Sequence, residues 1–216
     1  MRRFIDIAVI SYIERYLVDE VTTNPTLLSK CDEFASKKEV SKRIGKLNTD
    51  PISVEVTSEN CDGMVKEAQQ HAKISSNIVI KVPMVEEGLK ATISLKKLNI
   101  NINVTLFFSS NQALLTANVG ATCASIFAGR LDDQGTDGMQ VIRDSLKIFN
   151  RYSFSTQIIA ASIRGSPCHM KEAAKTGCHI ATVPSNIIDL IIKYNLTDIG
   201  FETFLRDAQK NCRCQS

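Results

Sequence analysis

Lys81 stands in the segment NIVIKVPM as a single cation inside an apolar run, and Pro83 follows two residues later, where a strand must end. Taking a lysine out of water is costly unless the site uses it. An amine shielded from solvent sheds its proton more readily, and the neutral form attacks a carbonyl carbon. Period-two alternation puts Lys81 on the side of Asn77 and Val79, opposite Ile78, Ile80 and Val82. The alternative is a strand-end lysine whose ammonium reaches back to solvent. Polar groups interrupt other apolar runs in the same way: Asp6 in FIDIA, Glu55 in ISVEV, Thr105 in INVTLF, and Ser162 with Arg164 closing QIIAASIR. Singly, a carboxylate here is an ordinary salt-bridge partner and the threonine an ordinary strand residue. Gathered around one ligand, they would put acid, base and amine chemistry together. Arg130 in GRLDD and Arg164 in SIRGS each follow a run, where a guanidinium either grips a phosphate through paired hydrogen bonds or tethers a loop through an ion pair.

Positioning such groups requires elements that converge. Eight short apolar runs recur along the chain: FIDIA, LVDEVTT, ISVEV, NIVIKV, INVTLF, CASIFA, QIIAASI and HIATV. Most gaps between them are long enough for a helix, and several carry helical spacing, as do Leu89, Ile93 and Leu98 in EEGLKATISLKKL. Helix starts are expected at Asn24-Pro25 before TLLSK, Ser110 before NQALLTANVG and Ser166-Pro167 before CHMKEAAKTG, with Gly177 ending the last of these. Eight strand–helix units predict an α/β fold, a single (β/α)8 TIM barrel over residues 1–216, whose strand ends all open on one face. Residues 198–216 are expected to form a C-terminal amphipathic helix and a polar tail. An open doubly wound sheet is the structural alternative, but neither GxGxxG nor GxxxxGK[ST] is present.

Composition narrows the classes. The chain has 216 residues, 44% hydrophobic and 23% charged, enough for a substantial core and against a disordered or disulfide-stapled chain. A net charge of +3 gives no reason to expect a nucleic-acid or membrane partner. No apolar run approaches a bilayer span, and the N-terminal residues lack a signal peptide's apolar stretch, so a cytoplasmic location is expected. The seven cysteines, at 31, 61, 123, 168, 178, 212 and 214, form no repeated CxxC pair and are expected to be reduced. His71, His169 and His179 have no ligand-like spacing, so no metal site is expected.

Five motifs, in order, resemble one family: VTTNPTLL at 21–28, VIKVPMVEEGLKA at 79–91, NVTLFFSSNQALL at 103–115, SIFAGRLDD at 125–133 and AASIRG at 160–165. The chain resembles transaldolases, in particular the short-chain branch that also holds fructose-6-phosphate aldolase. The resemblance implies a Schiff-base mechanism without a metal or organic cofactor, in which Lys81 attacks the keto carbon of a sugar phosphate. It further implies Asp6 as acid/base at the bond that breaks, and Glu55 and Thr105 as holders of the water used in forming and hydrolysing the imine. Asn24, Asn103 and Ser125 would bind the three-carbon unit, and Arg130, Arg164 and Ser162 the phosphate. Short members often form pentameric or paired rings, so a homo-oligomer is expected by kinship.

Within the family, one activity hands the dihydroxyacetone unit to an aldose phosphate and the other releases it. Glu55, Phe127 and Arg164 match transaldolases, whereas the aldolases typically have Gln, Tyr and Lys at the corresponding positions. A phenyl ring at 127 has no hydroxyl with which to bring water or a proton to the enamine. After Asp6 the chain reads Ile7-Ala8 where relatives commonly carry Thr and a small or acidic residue, which bears on the acceptor. A barrel that binds sugar phosphates without turnover is the reading from another class.

Overall fold

The computed structural model describes residues 1–6, 20–22, 51–164 and 167–213. A strand overlaps each of the eight apolar runs: β1 (Arg2–Asp6), β2 (Glu20–Thr22), β3 (Ile52–Glu55), β4 (Ile78–Pro83), β5 (Ile102–Phe107), β6 (Cys123–Phe127), β7 (Gln157–Ala161) and β8 (Ile180–Pro184). All pairings are parallel and follow chain order, and β1 pairs with β8 as well as with β2, so the strand order closes on itself. The described helices are α1 (Cys61–Ala72), α2 (Glu86–Lys97), α3 (Ser110–Asn118), α4 (Ala128–Asp132), α5 (Gly138–Arg151), α6 (Pro167–Thr176), α7 (Ser185–Ile192) and α8 (Asn195–Arg213). From β3 onward every strand is followed by helix. The segments after β1 and β2, including Asn24-Pro25 and Ile7-Ala8, lie outside the described residues. Among those described, no helix is long and apolar enough to cross a membrane.

Alternation along the strands sorts side chains into two layers. Ile52 and Val54 of β3, Ile78, Ile80 and Val82 of β4, and Ala124 and Ile126 of β6 join a core that includes Leu95, Ile142 and Phe149 from the helices. The opposite parity supplies a separate small cluster, Cys123, Ile159 and Ile180, inside the ring of strands. One strand breaks the rule. Between β5 and β6, Val104 pairs with Ala124 and Phe107 with Ile126, so β5 carries one extra residue, a β-bulge. Leu106 takes up the distortion in a left-handed conformation at φ 61°. Phe107 is thereby turned outward into the strand–helix core, where it is fully buried, while Thr105 keeps its inward place.

Two local expectations need correction. Helix α2 buries Gly88, Ala91, Thr92 and Leu95 while Ile93 and Leu98 are exposed, so apolar bulk alone does not mark its inner face. At Gly88, where a Cβ would lie 2.0 Å from Pro83 O, only a small residue fits between helix and sheet. Helix α3 does start at Ser110, and Ser109 caps it. The Ser109 hydroxyl accepts from Gln112 N, and Gln112 Oε1 accepts from Phe108 N at 2.8 Å, an arrangement like a capping box that fixes this start. The C-terminal helix begins at Asn195 and runs to Arg213, taking in most of the segment expected as tail. Helix α6 does start at Pro167 and stop before Gly177, whose φ of 83° suits a residue without a Cβ.

Candidate active site

The carboxyl ends of the strands assemble the inward polar residues in register. Glu55 lies beside Lys81 across β3 and β4, Lys81 beside Asn103 across β4 and β5, and Pro83 beside Thr105. Lys81 is buried, 8% exposed, on the parity opposite Ile80 and Val82, which places its amine inside the ring and not among the helices. Its Nζ stands 3.3 Å from Glu55 Oε2. Ser125 donates to Asn103 Oδ1 at 2.8 Å, with both side chains buried. Thr105 is fully buried, and its Oγ1 has no hydrogen-bond partner among the described residues. An orphaned hydroxyl at such a depth is a natural seat for a water or a substrate oxygen.

The loop that follows Glu55 is held from behind. Thr57 N and Ser58 N donate to Glu67 Oε2 at 2.9 and 3.1 Å, and Cys61 N donates to Glu87 Oε2 at 2.9 Å. Burial pushes the Glu67 carboxyl upward, but the bonds from Thr57 and Ser58 together hold it below the usual carboxylate range. An open cleft of about 600 Å³ adjoins Glu55 at the ends of β3, β4 and β5, lined also by Thr57, Glu59, Pro83, Val85 and Leu106.

On the far side, β6 and β7 deliver the basic residues. Phe127 ends β6, packs edge-on against Phe108 with ring centroids 6.0 Å apart, and carries the Arg130 guanidinium 5.0 Å from its ring centre. Ser162 follows β7 at φ 61°, a strained conformation of the kind found at functional sites. Its carbonyl points at Gly129, where a Cβ would come within 1.9 Å of Ser162 O and 2.5 Å of Arg164 Cγ. Only glycine permits that approach, which brings the loops bearing Arg130 and Arg164 together. Arg164 Nη2 pairs with Asp133 Oδ2 at 2.9 Å, with both side chains about half exposed. The loop-tethering reading of Arg164 therefore holds, through a half-exposed pair of the kind that contributes little to stability.

Glu55, Lys81, Asn103, Thr105 and Ser125 are thus brought together, with Phe127, Arg130, Ser162 and Arg164 at the ends of β6 and β7. Asp6 ends β1, in register with Thr22 of β2 and Pro184 of β8. Asn24 lies outside the described residues. Sequence reasoning missed His169 and Asp132, which lie 2.9 Å apart beside Arg164; a histidine two residues after a helix-starting proline gives no chemical signal by itself. Among the described residues, no three His, Cys, Asp or Glu are grouped so as to hold a metal ion.

The model of the transaldolase/fructose-6-phosphate aldolase family matches residues 3–213. Similar proteins include a probable transaldolase of Thermoanaerobacter sp. (strain X514), 48% identical over 97% of this chain and 98% of that protein. A probable transaldolase of Clostridium botulinum (strain Eklund 17B / Type B) is 49% identical over 97% of this chain and 98% of that protein. Another, from Methanococcus vannielii, is 46% identical over 96% of this chain and 97% of its own length. A match spanning nearly the whole chain, on strands that gather an inward lysine and its polar neighbours, establishes that this chain belongs to the transaldolase/fructose-6-phosphate aldolase family.

Proposed function

We propose that the protein is a transaldolase that moves a dihydroxyacetone unit from a ketose phosphate, fructose 6-phosphate or sedoheptulose 7-phosphate, to an aldose phosphate through a Schiff base on Lys81. The observation that carries this reading is the Lys81 amine, buried inside the strand ring 3.3 Å from the Glu55 carboxylate. The amine must lose a proton before it attacks C2 of the ketose, and Glu55 is within reach to take it. Loss of water from the carbinolamine leaves a protonated imine, and the Glu55 carboxylate with the Thr105 hydroxyl holds that water. Asp6 takes the proton of the C4 hydroxyl as the C3–C4 bond breaks; the electron pair passes to the iminium and gives an enamine. The aldehyde phosphate departs, an acceptor aldehyde takes its place, and the steps run in reverse.

Asn24, Asn103 and Ser125 hold the hydroxyls of the retained three carbons. Arg130, Arg164 and Ser162 hold the phosphate, the two guanidiniums matching a dianion's charge. Phe127 keeps a hydroxyl away from the enamine and so favours transfer over release. On this reading the chain forms a single (β/α)8 barrel domain over residues 1–216 and acts in the cytoplasm within the pentose phosphate pathway. Helix α8 exposes Leu196, Ile199, Phe201, Phe204 and Leu205, an apolar surface that suits contact with a second copy in a homo-oligomer. Sedimentation of a variant ending before Asn195 tests that contact: smaller particles are expected, and unchanged ones refute it.

A coupled assay for glyceraldehyde 3-phosphate from fructose 6-phosphate, with and without erythrose 4-phosphate, tests the activity. Release that depends on the acceptor is expected. Strong acceptor-independent release makes the protein a fructose-6-phosphate aldolase-type enzyme, and no product with either makes it a binding barrel.

A further inference from the structure

Helix α6 carries His169 in its first turn, pointing at the turn after β7. The main-chain N–H of Arg164 donates to His169 Nδ1 at 3.0 Å. On the other edge of the ring, Nε2 lies 2.9 Å from Asp132 Oδ2, off the line of an ideal N–H bond, and the imidazole is only 15% exposed. A ring nitrogen that accepts from an N–H must be bare, so the proton of the neutral ring sits on Nε2, toward the carboxylate. Asp132 is itself fixed, because its Oδ1 accepts from Gly138 N at 2.9 Å. The next residue, Asp133, pairs with the Arg164 guanidinium. The Arg164 turn is therefore held at two points: by Asp133 directly through the side chain, and by His169, whose other edge lies beside Asp132, through the main chain.

These routes differ in strength. The Arg164–Asp133 pair is half exposed and readily exchanged for a ligand. The main-chain bond ends on an imidazole that is only 15% exposed and does not use the guanidinium, so it can persist when the guanidinium changes partner. We propose that His169 is a positioning residue for the phosphate end of the substrate: its Nδ1 holds the Arg164 main chain in place when the guanidinium leaves Asp133 for the phosphate. The inference rests on the assignment of Arg164 to phosphate made above. His169 touches no reacting atom in this scheme, so its loss weakens binding of the phosphorylated donor and leaves the imine chemistry intact.

The test compares His169→Asn, His169→Gln and His169→Leu with the parent protein and Arg164→Ala, measuring kcat and KM for fructose 6-phosphate and competitive inhibition by inorganic phosphate. The amide oxygen of Asn can occupy the place of Nδ1, whereas that of Gln reaches the place of Nε2. His169→Leu and His169→Gln are expected to raise KM and the phosphate inhibition constant together by about five- to tenfold, the weight of one hydrogen bond, with kcat within about twofold. His169→Asn is expected to recover most of the loss. Equal behaviour of Asn and Gln, or a fall in kcat without a rise in KM, overturns the role of Nδ1. If Arg164→Ala raises KM while the His169 variants do not, this inference alone fails. If Arg164→Ala changes neither quantity, the phosphate assignment fails and takes the inference with it.

Discussion

Gly129→Ala probes whether the two basic loops must touch. The added Cβ would lie 1.9 Å from Ser162 O, short of the ~3.3 Å of a close carbon–oxygen contact by about 1.4 Å, and 2.5 Å from Arg164 Cγ. Neither neighbour can yield at no cost. Ser162 O belongs to main chain already in a left-handed conformation, and Arg164 Cγ sits at the root of a side chain tied to Asp133. The start of α4 and the end of β7 must therefore part by more than 1 Å, carrying Arg130 and Arg164 away from a common phosphate. Overpacking of this kind costs about 1–3 kcal/mol of stability. A misplacement of ~1 Å in a binding constellation costs on the order of 100-fold in catalytic efficiency. Steady-state kinetics with fructose 6-phosphate, beside urea unfolding of the same preparation, should show kcat/KM falling by about that factor, mainly through KM, in a protein that still folds. A Gly129→Ala protein with unchanged KM would refute the claim that the close approach builds the phosphate site.

Ser125→Ala leaves Asn103 Oδ1 buried without its hydroxyl donor, so urea unfolding should report a loss of about 1–3 kcal/mol, together with a higher KM. Phe127→Tyr should raise release of free dihydroxyacetone relative to transfer; an unchanged ratio removes Phe127 as the discriminator. His179 accepts from Ile158 N through Nδ1, and burial, with Arg2 and the N-terminal amine nearby, holds it below its ordinary value of 6.5. Because the unfolded chain then binds more protons, its contribution to stability is complete above 6.5 and declines as the pH falls below that value. Between about pH 7.5 and pH 5.5, His179→Asn, which keeps an acceptor but does not titrate, should lose less melting temperature than the parent protein.

The strands were legible because burial on both faces demands unbroken apolar runs, and each of the eight runs overlaps one strand. Lys81 and Glu55 were legible for the same reason: in such a run a charge stands out, and alternation gives its direction. Helix α2 was harder, since what decides its inner face is small size at Gly88 and Ala91, not the apolar bulk of Ile93 and Leu98. The bulge at Leu106 had no signal at all. Leucine has no liking for a positive φ, and the strain is imposed by the pairing of β5 with β6. The Gly129 contact and the His169 clamp join residues far apart in sequence, and only the closed strand order sets them side by side.

The central claim is that the buried amine of Lys81 becomes covalently bonded to a ketose carbon. Borohydride reduction in the presence of fructose 6-phosphate, followed by peptide mass spectrometry, reads that bond directly. The account predicts a stable adduct on the peptide containing Lys81, absent in Lys81→Met and absent without sugar. An unmodified Lys81 in a preparation that turns over, or an adduct confined to another lysine, would contradict it.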